Sequence, residues 1–537
     1  MKKQMKKIIL TSPILLGLLL LNACSSTVPL LSDPIGNINQ ATVKASELTE
    51  AELKSWSHMD LLMDSIPGVS LDRAYKELVR PDGETIVVAV IDSGIDITHE
   101  DLSANVWIND KEIPNNGIDD DKNGYVDDVN GWNFLGESSN EQLEYVRLLA
   151  SKDETNPRYE EAKKLHEKEV KKYGNSRQRY KGISDRIKKA NKAILEYTKK
   201  ESYTKEEVLA MDVEDDSLMA QVKVIKQAYG FGVDSMSELT NELDSYVKSL
   251  SERLDYYLNV DFDGRAVVGD DPDNLEDRDY GDNNVMPKNG SSHGTHVSGI
   301  IAGVRNNGIG MNGAADKVKI MAIRNTPNGD EYDKDVALGV YYAVNNGAKI
   351  INMSFGKGFS PHSDWVREAI AYAAKKDVLI VAAAGNNSEN TDEKQYYPND
   401  QVGTGAEVSD TFIKVGSSTN IHSSDIVSGF SNYGKITVDL FSPGSRIYST
   451  TPENEYRFLQ GTSMASPLVA GVAALVMSQY PKLSAAEVKE VLMNSGLPLD
   501  LEINLGEDSV VPFSGLSKSG KLVNAYNALI MASRVSK

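Results

Sequence analysis

The sequence predicts an α/β protein: a doubly wound, mostly parallel sheet with helices on both faces, carrying an all-helical insertion. Three observations predict it. Residues 86–91 and 378–384 are apolar without a break, and 318–323 are apolar but for Lys319; near-continuous apolar strands mark a parallel sheet covered on both faces. Residues 334–346 and 365–375 have helical patterns and alternate with those runs, and such alternation specifies a wound sheet. From about residue 137 to 258, apolar positions fall at helical spacing and Gly and Pro are sparse, as in a helical hairpin or small bundle.

The chain has 537 residues and a net charge of −21, from 57 basic and 78 acidic side chains. That balance argues against nucleic acid as the main partner, because phosphate binding needs a basic face. It favours solubility or carboxylate-rich cation sites. At the start, Lys2, Lys3, Lys6 and Lys7 precede a short apolar run and then Asn22-Ala23-Cys24. This is the pattern of a secretory signal, residues 1–23, and is too short for a stable membrane span. Cys24 is the only cysteine, so no disulfide holds the fold. Leu21-Asn22-Ala23-Cys24 resembles the lipobox of bacterial lipoproteins. The resemblance implies cleavage before Cys24, lipidation there, and anchoring to the membrane of the cell envelope. Ordinary signal cleavage that leaves a thiol is the alternative. Residues 24–52 are polar and read as a flexible tether.

The main domain is expected over residues 53–136 and 259–517. Trp56, Leu61 and Ile66 are its first apolar anchors. The strand at 85–91 ends in Asp92-Ser93-Gly94, and ligand residues of open α/β sheets sit at such carboxyl ends. A carboxylate there is costly to bury unless it is paired. Asp119, Asp121, Asn123, Tyr125, Asp127 and Asp128 follow in a loop with Gly124 at its turn. That is oxygen-ligand spacing for Ca²⁺, although position twelve is Asn130 and no EF-hand helices flank it. An acidic loop without a cation is the plainer reading; mutual repulsion of its carboxylates favours the cation.

Within the insertion, residues 158–200 hold 15 Lys/Arg against 6 Asp/Glu. Charge runs are usually solvated helix faces; a docking face for a protein partner or the membrane is the alternative. His293 and His296 open an apolar helix. No Glu lies between them as a zinc protease would need, whereas a His at a helix start suits a general base. Asn386 ends the strand at 378–384 after Gly385, and Ser463 precedes the apolar run 468–476. A serine there is either an ordinary helix N-cap or a nucleophile beside free helix N–H donors. Residues 518–537 read as a final helix.

Asp92, His293 and Ser463 thus stand in the order Asp, His, Ser, which is the subtilisin order of a catalytic triad. The surrounding residues are more specific. Val90-Ile91-Asp92-Ser93-Gly94, His293-Gly294-Thr295-His296-Val297-Ser298-Gly299, Ala384-Gly385-Asn386 and Gly461-Thr462-Ser463-Met464-Ala465-Ser466-Pro467 resemble four motifs of the subtilisin-like serine proteases. The resemblance implies a subtilisin-like fold and hydrolysis of polypeptide substrates. It implies Asp92, His293 and Ser463 as the triad and Asn386 as oxyanion donor. Ser354, Phe355 and Gly356 resemble the segment that pairs with substrate backbone and lines the specificity pocket. The alternative is a catalytically silent binding protein on the same fold, which would be expected to have lost one of these groups.

Overall fold

The computed structural model describes residues 32–36, 38, 41–44, 46–233, 235–288, 291–505 and 509–536. The expected signal peptide and Cys24 lie outside them. Two short helices, α1 (Glu50–Ser55) and α2 (Leu71–Glu77), precede the first strand, β1 (Ile86–Asp92). β2 (Gly131–Asn133) follows the acidic loop. Five helices come next: α3 (Glu144–Ala150), α4 (Tyr159–Thr198), α5 (Lys205–Leu209), α6 (Asp216–Tyr229) and α7 (Met236–Glu252). The wound part then runs α8 (Ser292–Ala302), β3 (Val318–Arg324), α9 (Asp333–Asn345), β4 (Ile350–Met353), α10 (Ser363–Lys375), β5 (Leu379–Ala383), β6 (Phe412–Ser418) and β7 (Leu440–Pro443). A hairpin of β8 (Ile447–Thr451) and β9 (Glu455–Leu459) leads into α11 (Thr462–Gln479). The chain ends with α12 (Ala485–Ser495), β10 (Leu497–Pro498), β11 (Glu502–Asn504), β12 (Val510–Pro512), β13 (Lys521–Leu522) and α13 (Ala525–Val535).

Nine strands form the main sheet in the order β10-β13-β7-β6-β5-β4-β1-β3-β2. All neighbours are parallel except β10 with β13, so the fold is the mostly parallel α/β sheet that the sequence predicts. Alternate residues of each strand point to opposite faces. Val88 and Val90 of β1 therefore join one core with α8, α11, α12 and α13. Ala89 and Ile91 join a second with α9 and α10. Both faces are covered, which is why the strands are apolar without alternation. β1 lies between β3 and β4. The chain reverses its winding there, and the crevice at such a switch point is where α/β sheets bind ligands.

The helices between β2 and α8 carry their own core, built on Ile187, Ile194, Val222 and Ile225. A smaller cluster of Tyr145, Val146, Ala162, Leu258 and Phe359 joins them to the sheet domain. Buried ion pairs tie the segment that follows these helices to α9. Arg265 bonds Asp335 at 2.5 Å and Asp270 at 2.7 Å, and Lys334, wholly buried, bonds Asp270 at 2.6 Å.

One expectation changes. Within the stretch read as a flexible tether, Ile35 is buried, and its backbone exchanges hydrogen bonds with the Asn527 side chain at 2.7 and 3.0 Å. Residues 518–537 hold the expected final helix, α13, which buries Tyr526, Leu529 and Ile530 in the first core, preceded by β13 paired with β7 in the main sheet. A two-residue strand is too short to leave a periodic signal, and contacts across nearly 500 residues leave no local trace.

Candidate active site

The carboxyl edge of the sheet assembles the residues singled out above. Asp92 ends β1 with no exposed surface. Its Oδ1 accepts hydrogen bonds from the Ser93 N–H at 2.7 Å and from His293 Nδ1 at 2.8 Å. His293 stands in the first turn of α8, which lies almost on β1. A Cβ on Gly294 would sit 2.3 Å from the Gly94 carbonyl oxygen, so only glycine lets the imidazole reach the carboxylate. His296 serves structure. Its buried Nε2 donates to the carbonyls of Ile447 and Arg457 at 3.1 and 3.0 Å, and burial pushes its pKa down to about 4.

Ser463 is the second residue of α11, where a backbone N–H has no partner inside the helix. Gly461 precedes it at φ +153°, and a Cβ there would lie 3.4 Å from Asn386 Nδ2. Asn386 is aimed from behind: its Oδ1 accepts the Thr462 N–H and the Thr462 hydroxyl, each at 2.9 Å. The amide's donor end is thereby left for the cleft that Asn386 lines. Pro467 lies inside α11 and has no N–H for the carbonyl four residues earlier, that of Ser463. The Ser354 hydroxyl replaces it, donating to the Ser463 carbonyl at 2.9 Å, and the Ser463 hydroxyl donates to the Ser354 carbonyl at 2.9 Å. A rotation of the Ser463 side chain away from that carbonyl is needed to present the hydroxyl to His293, which lines the same cleft. Hydrogen bonds of catalytic groups commonly tighten only with substrate in place.

The cleft has a volume of about 290 Å³ and is lined by Ser354, Phe355 and Gly356 on one wall and Ala383, Gly385 and Asn386 on another. Phe355 is largely buried, as an apolar wall would be. The Tyr396 ring lies between the walls: its hydroxyl donates to the Gly356 carbonyl at 2.8 Å, and Cβ atoms on Gly356 or Gly385 would fall within 2.8 Å of its carbons. The ring therefore limits the depth of the space. Nothing local marked Tyr396 or Thr462 as site residues, because their roles depend on which strands become neighbours.

The six predicted calcium ligands do not all converge. Asp119 and Asp121 come together with Glu112, their carboxylate oxygens within 4.8 Å of one another. Glu112 Oε1 accepts the N–H groups of Asp120 and Asp121, while its buried Oε2 has no hydrogen-bond partner. Asn123 Oδ1 accepts the Tyr125 N–H, and the Tyr125 ring packs edge-on against Trp132 and Tyr342. Asp127 instead accepts the N–H groups of Asn116 and Gly117 at 3.0 and 2.9 Å. Asp128 is wholly buried among Asn109, Asn123 and the Tyr342 hydroxyl, and burial pushes its pKa up to about 6 against those hydrogen bonds. Alternating acids in the loop were legible in sequence. Glu112, upstream and outside the alternation, was not.

A paired carboxylate and imidazole, a hydroxyl at a helix start and an aimed amide along one cleft define a serine hydrolase that works by acyl transfer. Residues 83–510 match the Subtilase family, peptidase S8, and the chain belongs to that family of serine endopeptidases. It is 39% identical over 225 residues to the thermophilic serine proteinase of Bacillus sp. strain AK1, covering 42% of this chain and 50% of that one. It is 38% identical over 218 residues to thermitase of Thermoactinomyces vulgaris, covering 40% of this chain and 71% of that one. The matched part thus spans half the length of the first relative. A solved cold-adapted subtilisin-like serine proteinase is 31% identical, with a TM-score of 0.35 over 44% of this chain and 74% of its own.

Burial lowers the pKa of His293, but the Asp92 charge and hydrogen bond raise it by more, so it lies above the ordinary histidine value. A general base must be neutral, so activity rises as pH climbs through that raised pKa. The acid limb of kcat/KM is expected above about pH 6.5. Asp92→Asn removes the charge that raises it, so the limb should move to lower pH while the rate falls by about 10⁴-fold. A wild-type limb well below 6.5 would contradict this account of the pair.

Proposed function

We propose that this protein is an exported, lipid-anchored serine endopeptidase that hydrolyses polypeptides through an acyl-enzyme. The observation that carries the chemistry is the Asp92–His293 hydrogen bond of 2.8 Å facing a cleft shared with Ser463 and Asn386. Ser463 attacks the scissile carbonyl as His293 takes its proton. Asp92 holds the imidazole in the needed tautomer and stabilises the imidazolium. The tetrahedral oxyanion is received by Asn386 Nδ2 and the Ser463 N–H. A donor of this kind contributes roughly 3–4 kcal/mol to the transition state. His293 then protonates the leaving amine, and water releases the acyl group by the reverse of the same steps. The rival reading, a silent binding protein, is disfavoured by the joint presence of His293, Ser463 and Asn386 in one cleft, with Asp92 bonded to His293 from behind. Ser463→Ala should abolish casein hydrolysis, a loss on the order of 10⁶-fold in kcat, and should abolish labelling by a fluorophosphonate. A folded wild type that never labels would favour the binder.

The anchor rests on the lipobox-like Leu21-Asn22-Ala23-Cys24. In a bacterial host, Cys24→Ser should move the protein from the membrane fraction to the soluble exported fraction. Membrane retention of that variant would overturn the assignment.

The acidic loop fits a cation. The unpartnered Glu112 Oε2 is an oxygen that no protein donor satisfies, and two further carboxylates, those of Asp119 and Asp121, lie beside the Glu112 carboxylate. Glu112, Asp119 and Asp121 would hold Ca²⁺, which supplies charge neutralisation and stiffens the loop. Binding to the folded chain alone stabilises it by about 2.7 kcal/mol when the ion is at a hundred times its Kd. Complete chelation should therefore lower the melting temperature, and Glu112→Gln should lower it in calcium and blunt the response to chelator. An unchanged melting temperature after calcium removal would count against the site.

A further inference from the structure

One face of α4 collects cations that nothing in the fold neutralises. At about 100° per residue, positions 164, 168, 171, 175, 179, 182, 186, 189, 193 and 197 fall on a single stripe of the helix. The stripe holds Lys164, Lys168, Lys171, Arg179, Arg186 and Lys189, and no acid stands at its other positions. All six cations are exposed. From first to last they span about 38 Å.

The other faces of the helix are built differently. Ile187, Ala190 and Ile194 are buried in the helical core. Between residues 172 and 192, every cation off the stripe has a carboxylate partner: Lys172, Arg177, Lys181, Lys188 and Lys192 meet Glu169, Asp255, Asp185, Asp244 and Glu196 in turn. A helix charged only for solubility is laced with such pairs. On the stripe there are none among the described residues. Residues 158–200 hold 15 Lys/Arg against 6 Asp/Glu in a chain of net charge −21, so an anionic surface that attracts this face repels the rest of the molecule.

An apolar feature stands at one end of the stripe. α7 runs antiparallel to α4, because Ser184 meets Asp244 while the earlier Arg177 meets the later Asp255. The turn before α7 therefore lies at the C-terminal end of α4. It carries Phe231, which at 87% is the most exposed large apolar side chain among the described residues. Tyr197, 57% exposed, closes the stripe at the same end. Exposed aromatic rings beside cations fit the headgroup layer of a bilayer, where rings enter and cations meet phosphate.

We propose that this face of the helical segment lies on an anionic lipid surface, with the six cations against headgroup phosphates and Phe231 entering at the edge. The inference rests on the anchored reading above and adds how the anchored enzyme is oriented. A lipid on Cys24 holds the chain beside the membrane at high effective concentration, so a weak contact suffices to orient it. By itself the contact is screened at physiological salt, where the Debye length is about 8 Å, and does not retain an unlipidated chain. A line of charge this long suits a flat surface better than a compact acidic protein, which would meet only part of it.

The test uses the exported chain with Cys24→Ser, which carries no lipid. In dilute buffer it should sediment with vesicles of phosphatidylcholine and phosphatidylglycerol but not with vesicles of phosphatidylcholine alone, and salt at about 1 M should release it. Lys168→Gln, Arg179→Gln and Lys189→Gln together should lower the partition coefficient about a hundredfold, since each cation near an anionic surface contributes about fivefold. Phe231→Ser should lower it several-fold. The same loss of charge off the stripe, Lys181→Gln, Lys188→Gln and Lys192→Gln, should cost much less. All these side chains are exposed, so melting temperature and casein hydrolysis in solution should stay those of the parent chain. No sedimentation with anionic vesicles, equal sedimentation with neutral ones, or equal loss in both triple variants overturns the inference, as does capture by a soluble acidic protein in preference to the vesicles. A wild-type chain absent from the membrane fraction of its host overturns the anchor reading and leaves the vesicle result standing.

Discussion

The burial of α11 is the constraint on which the site depends. The helix is apolar nearly throughout, with every residue but Ser463 buried. Among the described residues it is the one helix with the length and hydropathy of a membrane span, yet 94% of it lies inside the fold. It runs beneath β4, β5, β6 and β7 and against α8, so its start can lie only at the carboxyl edge of the sheet. Ser463 is exposed there because it is the end of a rod that has nowhere else to go. Pro467 frees the Ser463 carbonyl, and Ser354 takes it up, which ties the nucleophile's backbone to the wall that faces the substrate. The nucleophile's position is thus set by hydrophobic burial and then trimmed by two hydrogen bonds.

Two clusters of paired charges are buried in the interior. Lys357, Glu144, Arg147 and Asp333 form one cluster, and Arg265, Asp335, Asp270 and Lys334 another. Removing one member of such a cluster leaves an uncompensated buried charge, which costs several kcal/mol. The first cluster ties α3 to the sheet domain through Glu144 and Lys357, and the second ties the segment after the helices to α9. The Glu144–Lys357 pair places α3 beside the cleft, whereas the four helices α4 to α7 around Ile187 and Ile225 keep a separate core.

The triad and the acidic loop show different degrees of legibility. Asp92, His293, Asn386 and Ser463 are each embedded in a short motif with small neighbours, of which Gly294 is demanded by close approach and Gly461 by its φ of +153°. Local sequence therefore carries their roles. The loop carboxylates alternate visibly, yet Asp127 turns to cap Asn116 and Gly117 while Glu112 joins Asp119 and Asp121. Side-chain direction in a loop depends on which backbone donors come near, and spacing along the chain does not record that.

By itself, the sequence determined the parallel sheet, its two covered faces, the order of the catalytic residues and the presence of a long helical segment. Unbroken apolar strands and tight motifs are local properties, and local properties survive in one dimension. Tertiary structure alone decided that Ile35 and α13 close the first core, that Tyr396 stands between the walls of the cleft, and that Glu144 reaches Lys357 across 213 residues to place α3 beside it. Each of these is a meeting of distant groups, chosen by what remains to be buried or neutralised after the local elements have formed.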